Sequence, residues 1–232
     1  MTGSHPQPCI VTFIGPVGVG KSTQIRLFQK YLKSKNILVI RTFIKSNHVL
    51  TYFLSSLLKT LGASEKVSYP NGFSRVYPKR TIVRKIFPLW CFLDAVSVAT
   101  KFLFTVSIPF RLGFTVLIEE GLPMSLYTYT IAFPTFFQTE PTTLLVLPNL
   151  LGWLTNKAHV NIVLDASEEE LDQRRRGRNY RQSELAEYVS LQKKWIKHLN
   201  LEGTVFIDTS NASHLSVHEK IIAAVEKCVF PR

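Results

Sequence analysis

Three features of this 232-residue chain predict an α/β fold, a three-layer α/β/α sandwich. Five short apolar runs rich in β-branched residues recur along it. Longer stretches with helical periodicity separate them. A glycine-rich loop joins the first apolar run to the first helical stretch. Strands that alternate with helices predict a five-stranded parallel sheet covered on both faces, because parallel neighbours need a crossover. No internal repeat or low-complexity linker divides the chain. It reads as a short flexible N-terminal arm over 1–9 and a single domain over 10–232.

The strands are expected over 10–15, 37–43, 114–119, 160–165 and 204–208. Helices are expected near 21–34, 47–61, 80–106, 125–137, 142–155, 168–176, 182–199 and 215–229. In the first helix Ile25, Leu27, Phe28, Tyr31 and Leu32 fall on or near one face. Ser167 with Glu170, and Ser216 with Glu219, have the spacing of capping boxes. From Ser183 onward Leu185, Tyr188, Val189, Gln192, Trp195, Ile196 and Leu199 recur at helical spacing, and the apolar ones read as core. Residues 63–79, rich in Ser, Tyr, Pro, Asn and Gly, read as a loop over the active-site face.

The net charge of +12 points to an acidic partner, and with 16 acids against 28 bases it partly reflects few acids. No specific nucleic-acid module is visible. Cys9, Cys91 and Cys228 are odd in number, with neither metal spacing nor a disulfide framework. A cytoplasmic location is the expectation. Met1–Pro8 has no apolar core of the kind a signal peptide carries. Ile86–Ile118 is unusually apolar, but Asp94, Lys101 and Arg111 interrupt it and Pro109 is expected to break the helix. No transmembrane span is expected; a buried helix leading into the third strand is. A lipid-facing or partner-facing surface, peripheral membrane contact and a homodimer stay open. Leu144–Leu154 reads the same way.

The loop itself is Gly15-Pro16-Val17-Gly18-Val19-Gly20-Lys21-Ser22, followed by Thr23. It meets every fixed position of the phosphate-binding pattern G-x-x-x-x-G-K-[ST]. The strand Ile10–Ile14 precedes it and a helix follows. Glycines allow backbone N–H groups to close on phosphate oxygens, and the helix N-terminus favours the negative charge. Lys21 then reaches the β- and γ-phosphates, and the Ser22 hydroxyl ligates Mg²⁺. ATP and Mg²⁺ are the expected cofactors.

Three further groups carry chemistry. Phe114–Ile118 delivers Glu119 and Glu120 to the sheet edge, where an acid orients Mg²⁺ or acts as a base; Glu119 lies nearer the strand end. Arg174-Arg175-Arg176-Gly177-Arg178-Asn179-Tyr180-Arg181 places five arginines in eight positions. Such a segment fits a lid that neutralises phosphoryl charge and excludes water. Arg41 closes the second strand facing the same crevice, with Lys45 and His48 as weaker cations.

In this order the elements resemble the nucleoside-phosphate kinases among P-loop NTPases, thymidylate kinase most of all. The likeness runs from residue 10 to about 229. It implies Mg·ATP-dependent phosphoryl transfer to a small acceptor, a nucleoside monophosphate first. By this resemblance Arg41 holds the acceptor phosphate, and Glu119 is the acid of an acid-arginine motif, near metal and acceptor. Arg174, Arg175 and Arg178 belong to the lid, and Asp208, Thr209 and Ser210 lie where adenine packs. Two positions depart from the pattern. Glu120 stands where these kinases usually carry Arg, and Val17 where the loop often carries an acid. These leave open a nucleoside or other alcohol as acceptor, or a nucleotide-binding ATPase or regulator without metabolite kinase activity.

Overall fold

Strand β1 (Ile10–Ile14) is buried along its whole length and organises the rest. In this computed structural model residues 7–46, 49–68, 74–132, 134, 160–176, 190–197 and 203–229 are described. Successive β1 side chains point to opposite sides of the sheet. Val11 and Phe13 enter one core layer, and Ile10 enters the other. On either side of β1 lie β5 (Thr115–Glu120) and β6 (Val160–Asp165). Outside them lie β2 (Val39–Ile44) and β7 (Thr204–Asp208). The sheet order is β2-β5-β1-β6-β7, and every pairing is parallel. The register sets Phe13 beside Glu119, Ile44 beside Glu120 and Asp165 beside Asp208. All five carboxyl ends therefore open on one edge, flanking the point where chain order reverses.

The two layers are built from different helices. α1 (Lys21–Ser34) turns Ile25, Phe28 and Leu32 onto the Val11–Phe13 side. There Ile221 and Val225 of a C-terminal helix (His214–Val229) join them. The opposite layer is made by α3 (Arg80–Phe102), whose Val83, Phe87, Cys91, Ala95 and Val98 meet Ile10, Ile44, Val116 and Ile118. α2 (Val49–Thr60) lies against α3 through Leu58 and Trp90.

The structure changes several expectations. The stretch 63–79 holds an antiparallel hairpin, β3 (Ser64–Ser68) and β4 (Ser74–Pro78). Its intervening Pro70-Asn71-Gly72 is a turn signal whose flanks are short strands, and a polar composition hid them. The long helix does not end before Pro109. A π turn over Leu103–Ser107 absorbs the register change, and Pro109 sits in the first turn of α4 (Ile108–Arg111), where its missing N–H costs nothing. Only one face of this segment is core. Thr81–Arg111 is long and apolar enough to cross a membrane by length and composition, and 39% of its most apolar window is buried. The helix after β5 begins earlier than expected, as α5 (Gly121–Tyr127) followed by a π turn over Thr128–Ala132. Residues 142–155 lie outside the described residues.

The cysteines also differ from expectation. Cys9 and Cys228 are joined as a disulfide, with Cα atoms 6.5 Å apart and a sequence separation of 219. Sequence distance conceals this pair, because the strand entry and the last helix meet only in the fold. At the chain's start the Gln7 N–H donates to the Val229 carbonyl at 2.9 Å, and Cys9 is buried. The end of the N-terminal arm is thus anchored.

Candidate active site

The phosphate loop leaves β1 at Gly15 and enters α1 at Gly20. A Cβ on Gly15 would stand 2.3 Å from the Leu164 carbonyl oxygen, so only glycine lets the loop pass this close to β6. Gly20 has φ +104° and caps α1, its carbonyl receiving the Thr23 and Gln24 N–H groups at 3.1 and 3.0 Å. Val19 is buried in the core and pins the loop between these two glycines. Pro16 accepts the Val19 N–H through its carbonyl, a turn within the loop that leaves Val17 half-buried.

Lys21 is buried at the centre of this cradle. Its Nζ donates to the Gly15 carbonyl at 2.7 Å and the Pro16 carbonyl at 3.1 Å, and lies 3.7 Å from Glu120 Oε1. Burial lowers its pKa from the ordinary lysine value, and the charges of Glu120 and Glu119 oppose that drop.

Glu119 is the junction of the site. The Ser22 hydroxyl donates to its Oε1, and Arg41 Nη2 donates to its Oε2 at 2.5 Å. Arg41 sits on β2 opposite Leu117, two positions from the Phe43–Glu119 pair, so its side chain shares the sheet face with the carboxylate. Glu119 is buried while Arg41 is about one-third exposed, which leaves the guanidinium open to the crevice.

Glu120 turns the other way. Its backbone lies at φ 70°, a region that costs a non-glycine residue energy. Gly121 follows at φ 70°, and a Cβ there would stand 2.6 Å from Thr12 Cγ2. This sharp exit from β5 starts α5 at once and aims the Glu120 carboxylate at two cations. Lys21 lies 3.7 Å away and Lys45 3.6 Å away.

The wall at the β6–β7 side of the crevice is built by α6 (Glu168–Arg176) and the turn after β7. Arg174 donates to Glu170 at 2.9 Å and to the Thr209 hydroxyl and carbonyl at 3.1 and 2.8 Å. It also reaches the Val19 carbonyl at 3.4 Å. Arg174 thus ties the helix, the turn and the phosphate loop together. The side chain of Arg175, and Arg178 with the remaining arginine-rich segment 177–181, lie outside the described residues. So does His48.

Thr209 is buried and anchored on the Asp165 carbonyl through both N–H and hydroxyl, at 2.8 and 3.0 Å. The Ser210 N–H donates to Asp208 at 2.8 Å and holds that carboxyl below its ordinary pKa. Ser210 Oγ accepts the Ser167 N–H at 2.8 Å. Asp208 and Ser210 line a 430 Å³ cavity with Asp165, Lys193 and Phe206. It lies at the β6–β7 side of the sheet edge, beside the turn where adenine was expected.

Two contacts escaped the sequence reading. α7, residues 190–197, brings Gln192 Nε2 to 3.5 Å from the Gly15 carbonyl, and its buried Oε1 has no partner among the described residues. A glutamine inside an apolar helical stripe was the available signal. Lys193 caps the end of β6, donating to the Ala166 carbonyl at 2.7 Å and lying 3.4 Å from Asp165. It carried no motif.

A divalent ion is chemically suited to the Ser22–Glu119 pair, a hydroxyl and a carboxylate oxygen beside the phosphate cradle. Mg²⁺ takes oxygen ligands and keeps most of its shell for water and phosphate. Among the described residues no group of three His, Cys, Asp or Glu forms a metal cluster.

No protein-family profile matches the chain, and no curated protein matches its sequence. Solved structures do match. A Candida albicans thymidylate kinase superposes with a TM-score of 0.57 at 14% identity, over 97% of this chain and 94% of that one. A thymidylate kinase from Ehrlichia chaffeensis gives 0.50 at 15% identity, over 95% of this chain and 100% of that one. Similarity of this length, with a five-stranded parallel sheet and a phosphate loop after its central strand, establishes that the chain has the P-loop α/β fold of the thymidylate kinases.

Proposed function

We propose that the chain is a Mg·ATP-dependent phosphotransferase whose acceptor is a small molecule, a nucleoside monophosphate first of all. The observation that carries this reading is the line Ser22–Glu119–Arg41, which joins the hydroxyl at the start of α1 to a part-exposed guanidinium through one carboxylate.

The transfer is an in-line displacement. An acceptor oxygen bonds to the γ-phosphorus as the bond to the β–γ bridging oxygen breaks, which leaves ADP. Ser22 and Glu119 would hold Mg²⁺, which would supply charge neutralisation to the phosphates. The loop amides and Lys21 hold phosphate oxygens in place. Lys21 exchanges its Gly15 and Pro16 carbonyl partners for them. Arg41 orients the acceptor's phosphate with its free guanidinium edge. A phosphate acceptor is already anionic, so no base is needed; a hydroxyl acceptor would give its proton to Glu119. Arg174 fixes the wall against which the donor nucleotide rests.

A second reading is a nucleotide-binding ATPase or regulator of the same fold. It is favoured by Glu120, whose charge faces Lys21 and Lys45 where the related kinases usually carry arginine. A coupled ATP-consumption screen over nucleosides and monophosphates, with Lys21→Ala as control, separates the two. The first reading expects ADP formation that depends on one acceptor class. ATP turnover indifferent to every acceptor would support the second. The Candida kinase is described as having broad substrate specificity, so the panel should span all common bases.

A further inference from the structure

Residues 79–113 contain one acid, Asp94, and it is fully buried. Its helix neighbours Cys91, Ala95 and Val98 are apolar core. A carboxylate in such a place costs desolvation that an apolar side chain of similar volume avoids. One of its oxygens accepts the Thr51 hydroxyl at 2.9 Å, and the other accepts the Tyr129 hydroxyl. Thr51 and Tyr129 are fully buried as well. The three residues come from three elements. Thr51 lies in the first turn of α2, Asp94 within α3, and Tyr129 in the π turn after α5. Ser97, further along α3, adds a second tie to the same end of α2, its hydroxyl accepting the Leu50 N–H at 3.3 Å. π turns are uncommon and gather at functional sites.

Both tied elements lead out of the crevice. β2 ends at Ile44, Lys45 follows, and α2 starts at Val49. β5 ends at Glu120, which caps α5, and the π turn continues that helix. At the crevice the two stretches of chain meet in the Lys45–Glu120 pair, 3.6 Å apart. In the core they meet again through Thr51, Asp94 and Tyr129. The result is a ring, with an ion pair at one end and a carboxylate between two hydroxyls at the other. Lys45 is part-exposed, so the ion pair alone holds geometry weakly. The buried bonds are directional and lie in a low dielectric, so they hold it strongly. The spacing of the ring is therefore set from its buried end.

We propose that Asp94 is a positioning residue for the acceptor side of the crevice. By tying α2 to the π turn it fixes Lys45 relative to Glu120, and it touches no reacting atom. Its effect on an acceptor rests on the phosphotransferase reading, whereas its effect on Lys45 does not. The test uses the full chain with Tyr129→Phe and Thr51→Val, each of which opens one link of the ring, and with Asp94→Asn, whose amide still bonds both hydroxyls. Lys45 is labelled with acetic anhydride and read by peptide mass against exposed Lys33 in the same sample. Labelling of Lys45 should rise about three- to tenfold in the two hydroxyl variants and stay within about twofold in Asp94→Asn. With a monophosphate acceptor, KM should rise about threefold or more in the same two variants, while ATP affinity stays within about twofold. Where one hydroxyl variant does not fold, the other reads the same ring. Unchanged Lys45 labelling in the hydroxyl variants would overturn the proposal, as would equal losses in acceptor KM and ATP affinity. If no acceptor takes phosphate, the phosphotransferase reading fails and the labelling still decides the role of Asp94.

Discussion

Arg41 and Glu119, on neighbouring strands, meet at 2.5 Å on the carboxylate oxygen that Ser22 leaves free. One buried carboxylate thereby couples the hydroxyl at the start of α1 to the guanidinium on β2, the two groups that the proposed reaction assigns to the metal and to the acceptor. The parallel register produces this. Side chains two positions apart along adjacent strands share a face, and the carboxyl ends of β2, β5 and β1 are level.

The first prediction follows from that division of labour. Arg41→Ala should raise the acceptor KM by about tenfold or more, while ATP affinity stays within about threefold. Glu119→Gln should instead lower kcat by about a hundredfold, with a smaller change in acceptor KM. Steady-state kinetics in both substrates, with ATP affinity measured by titration, reads the split. Equal losses in both parameters for both variants would remove the distinction.

Glu120 makes a separate prediction. It places a negative charge between Lys21 and Lys45, in the crevice an anionic acceptor must enter. Glu120→Gln removes that repulsion and should lower the KM for a monophosphate acceptor by about three- to tenfold. For an uncharged alcohol acceptor the same variant should leave KM unchanged. Measuring both with one enzyme preparation reports the charge of the natural acceptor.

The sheet and the phosphate loop were legible in the sequence because both rest on local signals. Ile10–Ile14 is an apolar β-branched run, and Lys21–Ser34 has a clear helical stripe bounded by glycine and a turn. The strands and their parallel arrangement followed from alternation. The misreadings arose where the deciding contact is distant. Nothing near Cys9 announces Cys228, and the hairpin of Ser64–Pro78 is polar enough to pass for a loop. Pro109 looked like a stop because a π turn cannot be read from composition. In the site, Ser22, Glu119 and Arg41 were named individually, but their convergence on one carboxylate depends on strand order. Gln192 was read within a core stripe, and only the placement of its helix brings it to Gly15.

The cysteines give a chemical prediction. The Cys9–Cys228 disulfide bridges a sequence separation of 219, so its reduction should cost about 2–4 kcal/mol, read as a lower denaturation midpoint with reductant. Cys228→Ser should show the same loss and no further effect of reductant. Cys91 is the free thiol, and burial together with Asp94 pushes its pKa up to about 12. At pH 8 its thiolate fraction is then about one in ten thousand. Ellman's reagent should therefore titrate no thiol in the native oxidised protein and one after denaturation. Rapid labelling of the native form would contradict the packing of α3.

His218 supplies a pH dependence. It packs edge-on against Phe28 and Tyr31, and burial lowers its pKa below the ordinary 6.5, with Glu219 opposing. The unfolded chain then binds a proton before the folded one does. The stability contributed by neutral His218 is complete above pH 6.5 and is lost as pH falls through the lower folded value. The melting temperature should drop as pH is lowered through this window, and less so in His218→Gln.

The most direct test of the account follows the γ-phosphate of ATP itself. The terminal phosphate is isotopically labelled, and its arrival on a monophosphate acceptor is measured for the natural chain and for Lys21→Ala. The account predicts label on the acceptor with Mg²⁺ present, and a rate about a hundred- to a thousandfold lower in the variant. Label found only in inorganic phosphate whatever the acceptor, or equal transfer by Lys21→Ala, would contradict it.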